Sequence, residues 1–298
     1  MTYHNPVLLT ESIDGLNINP NGIYVDVTFG GGGHSREILK KLDNGFLYGF
    51  DQDLDARKNS IESNKFKFIR SNFRYIKNFL RLEGIRKIDG LIADLGISSF
   101  QIDAPERGFA HRYDSIIDMR MNVDSDLDAK EILNSYSEVE IARILYDYGD
   151  IKQSRKIAKR IVQQRSVDKI QTTKDLITIL EGLYPKKLEN KFLSRIFQAL
   201  RIEVNDEINA LKDLLTDVVD LLKTKGRLVV ISYHSLEDRL IKNLISKGNV
   251  YGDIKTDFYG NQDKLFSSVN KKIIVANEKE CKKNSRARSA KLRIAEKK

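Results

Sequence analysis

The sequence predicts an α/β fold: a mostly parallel sheet covered by helices and interrupted by a helical insertion. Three observations carry that prediction. Strand and helix patterns alternate from Ile23 to Leu95, which argues a parallel sheet covered on both faces. After Asp103 the alternation stops, and residues 104 to about 200 hold amphipathic helical patterns with little that reads as strand. A strand then returns at Arg227-Leu-Val-Val-Ile-Ser232. The expected division is 1–103 for the first part of the sheet domain, 104–200 for the insertion and 201–298 for the second part.

Each element has its own signal. Residues 1–22 are a lead-in, with Thr10 as N-cap of a short helix through Ile13. Apolar, β-branched runs place strands near 23–27, 46–50, 66–70 and 88–93, with helices near 35–42, 53–62 and 73–82 between them. Inside the insertion, amphipathic helices are expected over 128–147 and 151–165. Phe197, Leu200, Val204, Ile208, Leu211, Leu215, Val218 and Leu222 recur every three or four residues as one long stripe, read as core packing. Gly226 is expected to end that helix, with Lys223 and Lys225 suiting its negative end. His234-Ser-Leu-Glu-Asp-Arg239 reads as a loop into another helix, and strands near 271–276 and 291–296 complete the sheet. No internal repeat or low-complexity segment interrupts this.

The chemistry concentrates in Tyr24-Val-Asp-Val-Thr-Phe-Gly-Gly-Gly-Gly-His-Ser35. A strand, a glycine turn and a helix start bring backbone N–H groups and a positive dipole end to a ligand, and any Cβ in the turn would block close approach. Alone, a glycine run can be only a tight turn. Here the second strand ends in Asp51, about 20 residues on, where a carboxylate holds the ribose hydroxyls of a nucleotide-like cofactor. No Gly-Lys-Ser/Thr follows the glycines, which excludes a P-loop. Counting from Gly30, the third glycine position of the dinucleotide fingerprint holds Ser35. S-adenosylmethionine (SAM) has no pyrophosphate to cradle and fits better. Asp94 closes the fourth strand, at the same carboxyl edge as Asp51, so both converge on one crevice.

Composition bounds the rest. A chain of 298 residues can bury a sizeable core. The single cysteine, Cys281, cannot form an internal disulfide, and four scattered histidines offer no metal-ligand cluster. With no apolar signal region and no stretch of membrane-spanning length, a cytoplasmic enzyme without membrane contact is expected. The sequence does not choose between monomer and homodimer.

The net charge of +9 is unevenly placed. The last twenty residues hold nine Lys or Arg against Glu280 and Glu296, a net of +7, with Arg286, Arg288 and Lys291 among them. Six basic and no acidic residues lie between Lys152 and Arg165. On a helical wheel Lys152, Arg155, Lys156, Lys159 and Arg160 share one arc, opposite Ile157, Ala158, Ile161 and Val162. Either patch alone could be a solvated surface; together they favour an acidic polymer as partner. A NAD-dependent oxidoreductase and a purely RNA-binding module remain as rival readings.

At this point the residues resemble the RsmH (MraW) family of SAM-dependent methyltransferases. The matching stretches are His4-Asn-Pro-Val-Leu8, Asp26-Val-Thr-Phe-Gly-Gly-Gly-Gly-His-Ser35, Asp51-Gln-Asp53, Asp94-Leu-Gly-Ile-Ser-Ser-Phe-Gln-Ile-Asp103, Arg107-Gly-Phe109 and Asp118-Met-Arg-Met121. Beyond the insertion come Phe197-Gln-Ala-Leu-Arg-Ile-Glu-Val-Asn205, Ser232-Tyr-His-Ser-Leu-Glu-Asp-Arg239 and Ser285-Arg-Ala-Arg-Ser-Ala-Lys-Leu-Arg293. They run in order along nearly the whole chain. The resemblance implies a class I (Rossmann-like) SAM methyltransferase sheet with an inserted helical domain. It implies methyl transfer to the exocyclic N4 of a cytosine in the decoding region of 16S ribosomal RNA, within the small ribosomal subunit.

Residue by residue, the resemblance implies that Gly32, Gly33 and His34 line the methionine end of SAM and that Asp51 holds its ribose. It further implies that Phe73 lies against the adenine, and that Asp94 and Gln101 complete the pocket. Many amino-methylating enzymes carry an Asn/Asp/Ser-Pro-Pro-Tyr/Phe loop after the fourth strand. Here Asp94-Leu-Gly-Ile97 occupies that place, which makes Asp94 and the following carbonyls the candidates for accepting the N4 hydrogen. DNA and other RNAs are the nearest alternative substrates.

Overall fold

The computed structural model describes residues 6–253 and 264–298; His4 and Asn5 of the first matching stretch lie outside the described residues. The chain forms two compact units, one from residues 1–96 with 208–298 and one from residues 97–207. Residues 97–103 and 201–207 thus join the helical unit, where the sequence division had assigned them to the sheet.

The sheet unit begins with α1 (Leu9–Leu16), β1 (Ile23–Asp26), α2 (Gly33–Lys40), β2 (Phe46–Asp51), β3 (Phe66–Arg70), α3 (Ile76–Leu82) and β4 (Ile88–Asp94). The helical unit holds α4 (Ser99–Asp103), α5 (Ala129–Ser135), α6 (Glu138–Asp147), α7 (Ser154–Arg165), α8 (Thr173–Leu180) and α9 (Glu189–Val204). The chain returns to the sheet through α10 (Glu207–Leu221), β5 (Leu222–Ser232), α11 (Ser235–Lys247), β6 (Phe266–Ser268), α12 (Glu278–Lys283) and β7 (Lys291–Lys297). The sheet order is β3-β2-β1-β4-β5-β7-β6. Strands β1 to β5 pair in parallel, and β7 runs antiparallel to both β5 and β6.

Alternate residues of the strands feed two cores, one on each face, as a period of two requires. Val25, Phe50, Leu91, Ala93, Leu228 and Val230 pack with Leu80 of α3, Leu211, Leu215 and Val218 of α10, and Ile241 of α11. Tyr24, Leu47, Ile92, Val229 and Ile231 pack on the other face with Ile13 and Leu16 of α1 and Ile38 of α2. The helical unit has its own core, built from residues such as Ile132, Ile144, Ile157, Leu176, Ile196 and Leu200.

Several expectations are corrected. Thr10 lies inside α1, whose N-cap is Leu8 at φ 51. The helix expected over 53–62 is a single 3-10 stretch, Leu54–Asn59, capped by the Asp53 side chain. The 128–147 helix is two, because Tyr136 is extended and Ser137 starts α6 with a capping box to Glu140. The long stripe is also two helices, broken at Asp206 with φ 47. Phe197, Leu200 and Val204 serve the helical core, whereas Leu211, Leu215 and Val218 serve the sheet.

Gly226 is not a helix cap, because α10 stops at Leu221 and Gly226 lies within β5. A Cβ there would meet the Lys223 carbonyl at 2.8 Å. Lys223 instead pairs with Asp89 at 2.8 Å. His234 caps α11, so the expected loop is mostly the first turn of that helix. Near 271–276 there is only an isolated bridge between Ile274 and Leu292; the edge strand is β6.

Candidate active site

Ligands of such sheets bind where parallel strands end, and five chain segments meet that condition: the turns after β1, β2, β3, β4 and β5. After β1, Gly30 at φ 47 and Gly32 at φ 72 turn the chain into α2, conformations that a side chain would strain. Gly32 is the N-cap of α2 and offers no side-chain cap, so the N–H groups of the first turn have no side-chain acceptor there. Opposite sides of this turn are pinned. A Cβ on Gly33 would run into the Pro6 ring, and His34 Nε2 lies 3.2 Å from the Val7 carbonyl. Burial holds the His34 imidazole near pKa 4, hence neutral, against the raising effect of that carbonyl. What His34 offers a ligand is therefore its backbone at the helix start.

Asp51 ends β2 and stitches the turn from beneath. Its Oδ2 accepts the Gly30 N–H at 2.8 Å, and its Oδ1 accepts the Asp53 N–H at 2.9 Å. Each carboxylate oxygen has a second lone pair to give a ligand hydroxyl. Burial raises its pKa to about 6 despite those two bonds, and the charges of Asp53 and Asp26 push the same way. After β3, Asn72 joins Gln52 at 2.9 Å and caps the 3-10 turn that carries the half-buried Phe73. Gln101 belongs to the helical unit, where it closes the capping box of α4 with Ser98.

Asp94 ends β4. Its backbone N–H donates to Thr28 Oγ1 at 2.6 Å, and the Tyr233 hydroxyl donates to its Oδ1 at 2.7 Å. Burial raises the carboxyl to about 7; the Tyr233 bond opposes this, and the Asp26 and Glu237 charges add to it. Beside it Asp26 accepts Ser35 Oγ–H at 2.7 Å and the Thr28 N–H at 3.1 Å, and burial raises it to about 6. Three raised carboxyls at the ends of β1, β2 and β4 make an edge suited to a cationic ligand.

Sequence reasoning singled out Asp51 and Asp94 but not Asp26, Thr28, Ser35 or Tyr233 as site residues. For Asp26 a signal existed: a carboxylate inside an otherwise apolar strand. For Tyr233 the signal was its place just after β5, one strand over from Asp94.

The two basic patches differ. Lys152, in the turn before α7, and Arg155, Lys156, Lys159 and Arg160 along it are all exposed. Arg160 reaches the Glu181 carbonyl at 2.8 Å, and the other four form no ion pair among the described residues. The basic C-terminal stretch is instead built into the fold. It folds as α12, a 3-10 turn and β7, with Lys291 3.8 Å from Asp238 and Arg293 2.8 Å from the same carboxylate. Arg286 is half-buried, and Arg288 is exposed. Among the described residues no helix is long and apolar enough to cross a membrane.

Over residues 1–298 the chain matches the family model described as the MraW methylase family. The chain belongs to the MraW methylase family. Relatives of the MraW methylase agree along its length. The ribosomal RNA small subunit methyltransferase H of Bacteroides thetaiotaomicron is 54% identical over 299 residues, covering 100% of this chain and 98% of that one. The protein of the same name from Cytophaga hutchinsonii is 54% identical over 296 residues, covering 99% of each. An rRNA methylase structure from Streptococcus thermophilus aligns at 12% identity with TM-score 0.43, covering 96% of this chain and 94% of that one.

The MraW methylase is a SAM-dependent methyltransferase with a class I (Rossmann-like) sheet and an inserted helical unit. Its residues fit that cofactor. The glycine-capped start of α2 suits a carboxylate, the free lone pairs of Asp51 suit ribose hydroxyls, and the buried carboxyls suit a sulfonium cation.

Proposed function

We propose that this MraW methylase transfers a methyl group from SAM to the exocyclic N4 of a cytosine in the decoding region of 16S rRNA. The observation that carries this reading is the full-length likeness, at 54% identity, to relatives named ribosomal RNA small subunit methyltransferase H. The geometry of Asp94 supports the chemistry. Bound SAM supplies an electrophilic methyl carbon on sulfur. Gly32 turns the chain there, its own N–H given to the Phe29 carbonyl at 2.6 Å, so the backbone N–H groups of Gly33 and His34 would hold the SAM carboxylate, Asp51 its ribose, and Phe73 would lie against its adenine.

The N4 lone pair is delocalised into the cytosine ring, so the amine attacks only as it pyramidalises and sheds a proton. With SAM bound, the methyl would pass from sulfur to N4, the carbon–sulfur bond breaking with its electron pair left on sulfur, and Asp94 would accept the N4 proton. A carboxyl held near 7 matches that task at neutral pH, where it is part-ionised and accepts a proton without a large penalty. Base pairing buries N4, so the target cytosine is presented unpaired or flipped. The exposed basic face of α7, together with Arg286, Arg288 and Lys291, supplies phosphate contacts.

The test incubates the protein with methyl-labelled SAM and unmodified small ribosomal subunits, then digests the RNA to nucleosides. Label on N4-methylcytidine is expected. Label on C5, on a 2′-hydroxyl or nowhere in the RNA overturns the proposal.

A further inference from the structure

We propose that Tyr233 is a positioning residue for methyl transfer, its hydroxyl holding Asp94 by one oxygen so that the other faces the reacting amine. This deepens the proposed reaction and rests on it. The hydroxyl donates to Asp94 Oδ1 at 2.7 Å, and no described residue bonds Oδ2. The carboxylate is therefore half-held, with one oxygen committed and one available.

The placement of Tyr233 is itself fixed. Its backbone N–H donates to Glu237 Oε2 at 2.8 Å, which ties it to the first turn of α11. The Asp94 backbone is fixed from the opposite side by Thr28 Oγ1. Gly96 lies beside the ring in a backbone conformation, φ 93, that favours glycine. A phenol at the end of β5 and a carboxyl at the end of β4 are adjacent because those strands pair in register, Asp94 beside Ile231.

The bond has a second consequence. A donor to a carboxylate favours its ionised form. The groups facing Asp94 are Asp26 and Glu237, both of which disfavour its charge, so Tyr233 is the partner that opposes them. Tyr233 faces Asp94, Glu237 and Glu280, and burial with these carboxylates keeps its phenol protonated. It acts as a donor across the working pH range. Removing the hydroxyl raises the Asp94 carboxyl further, so less of it is ionised at neutral pH to take the N4 proton.

The test is a pH profile on small subunits. Wild-type protein labels N4-methylcytidine if the proposed reaction holds; label elsewhere, or none, is a failure of that reading and not of this one. Tyr233→Phe is expected to lower kcat about fivefold or more at pH 7. It should move the acid limb of the profile up by about one pH unit or more. The KM for subunits should be unchanged, and the rate should largely recover by pH 9. A replacement of Tyr233 by 3,5-difluorotyrosine keeps the ring and strengthens the donor, and should move the limb downward. An unshifted limb in both variants, or a loss in Tyr233→Phe that alkaline pH does not restore, overturns the proposal.

Discussion

Removing the Asp51 carboxylate separates its role toward the cofactor from its role in the fold. Asp51→Ala deletes the acceptor of the Gly30 and Asp53 N–H groups and the acceptor proposed for ribose. A hydrogen bond to an ionised group contributes about 1.5–3 kcal/mol. One lost ribose bond therefore weakens SAM binding about tenfold, and two weaken it about a hundredfold or more. In the ligand-free protein the two backbone N–H groups lose their acceptor, which destabilises. The same change removes a buried carboxyl raised from 3.8 to about 6, whose ionisation at neutral pH costs about 3 kcal/mol. The two effects oppose, so the melting temperature should move by only a few degrees while affinity collapses. Calorimetric titration with SAM at pH 7.5, paired with thermal melts, reads both. A Kd within twofold of wild type in a protein that melts normally would refute the assignment of β2 to the cofactor.

Three further outcomes are expected. The carboxyls of Asp26, Asp51 and Asp94 are raised in the fold, so the stability they allow is fully present below pH 4 and is lost as pH rises through 6 to 7. Binding a cation favours their ionised forms, so SAM binding at pH 6.5 should release protons, seen as buffer-dependent heats; equal heats in all buffers would count against it. On α7, Lys156→Glu with Lys159→Glu should weaken RNA binding across sequences and flatten its salt dependence while leaving SAM affinity intact, and an unchanged salt slope would mark that face as merely solvated. Gly33→Ala forces a Cβ into the Pro6 ring, so it should destabilise the protein by about 1–3 kcal/mol, and an unchanged melt would show that residues 6–8 yield freely.

The parts of this molecule legible in the sequence are those set by local pattern. The strands β1 to β4 were readable because each is a short apolar run between punctuating glycines or charges, and Asp51 and Asp94 were readable because they end such runs. The long stripe from Phe197 to Leu222 misled for a physical reason. Hydrophobic period reports that residues share a face, not which core that face meets, and the break at Asp206 lies in one backbone angle. Gly226 looked like a helix end because glycine usually marks one, yet the left-handed residue there is Lys225, at φ 65. The strand near 291–296 was legible, because Leu292 and Ile294 alternate with charged residues and are buried in β7, but the ion pairs of Lys291 and Arg293 with Asp238 were not, since that partner lies on α11. The bond from Tyr233 to Asp94 was not legible: its position just after β5 could be read, but its partner is 139 positions away and only the β4–β5 pairing brings them together.

That pairing also bears on how the chain acquires its structure. β4 and β5 are hydrogen-bonded neighbours, yet residues 97–207 lie between their flanks and form a unit with its own apolar core. An unstructured loop of that length makes closure entropically unfavourable and slows formation of non-local sheet contacts. If the intervening unit condenses first, the two halves of the sheet are joined by a short effective link in place of a long coil. Pulse-labelled hydrogen exchange during refolding should then find α6 and α9 protected before β4 and β5. The reverse order would mean that the sheet closes around a still-disordered insert.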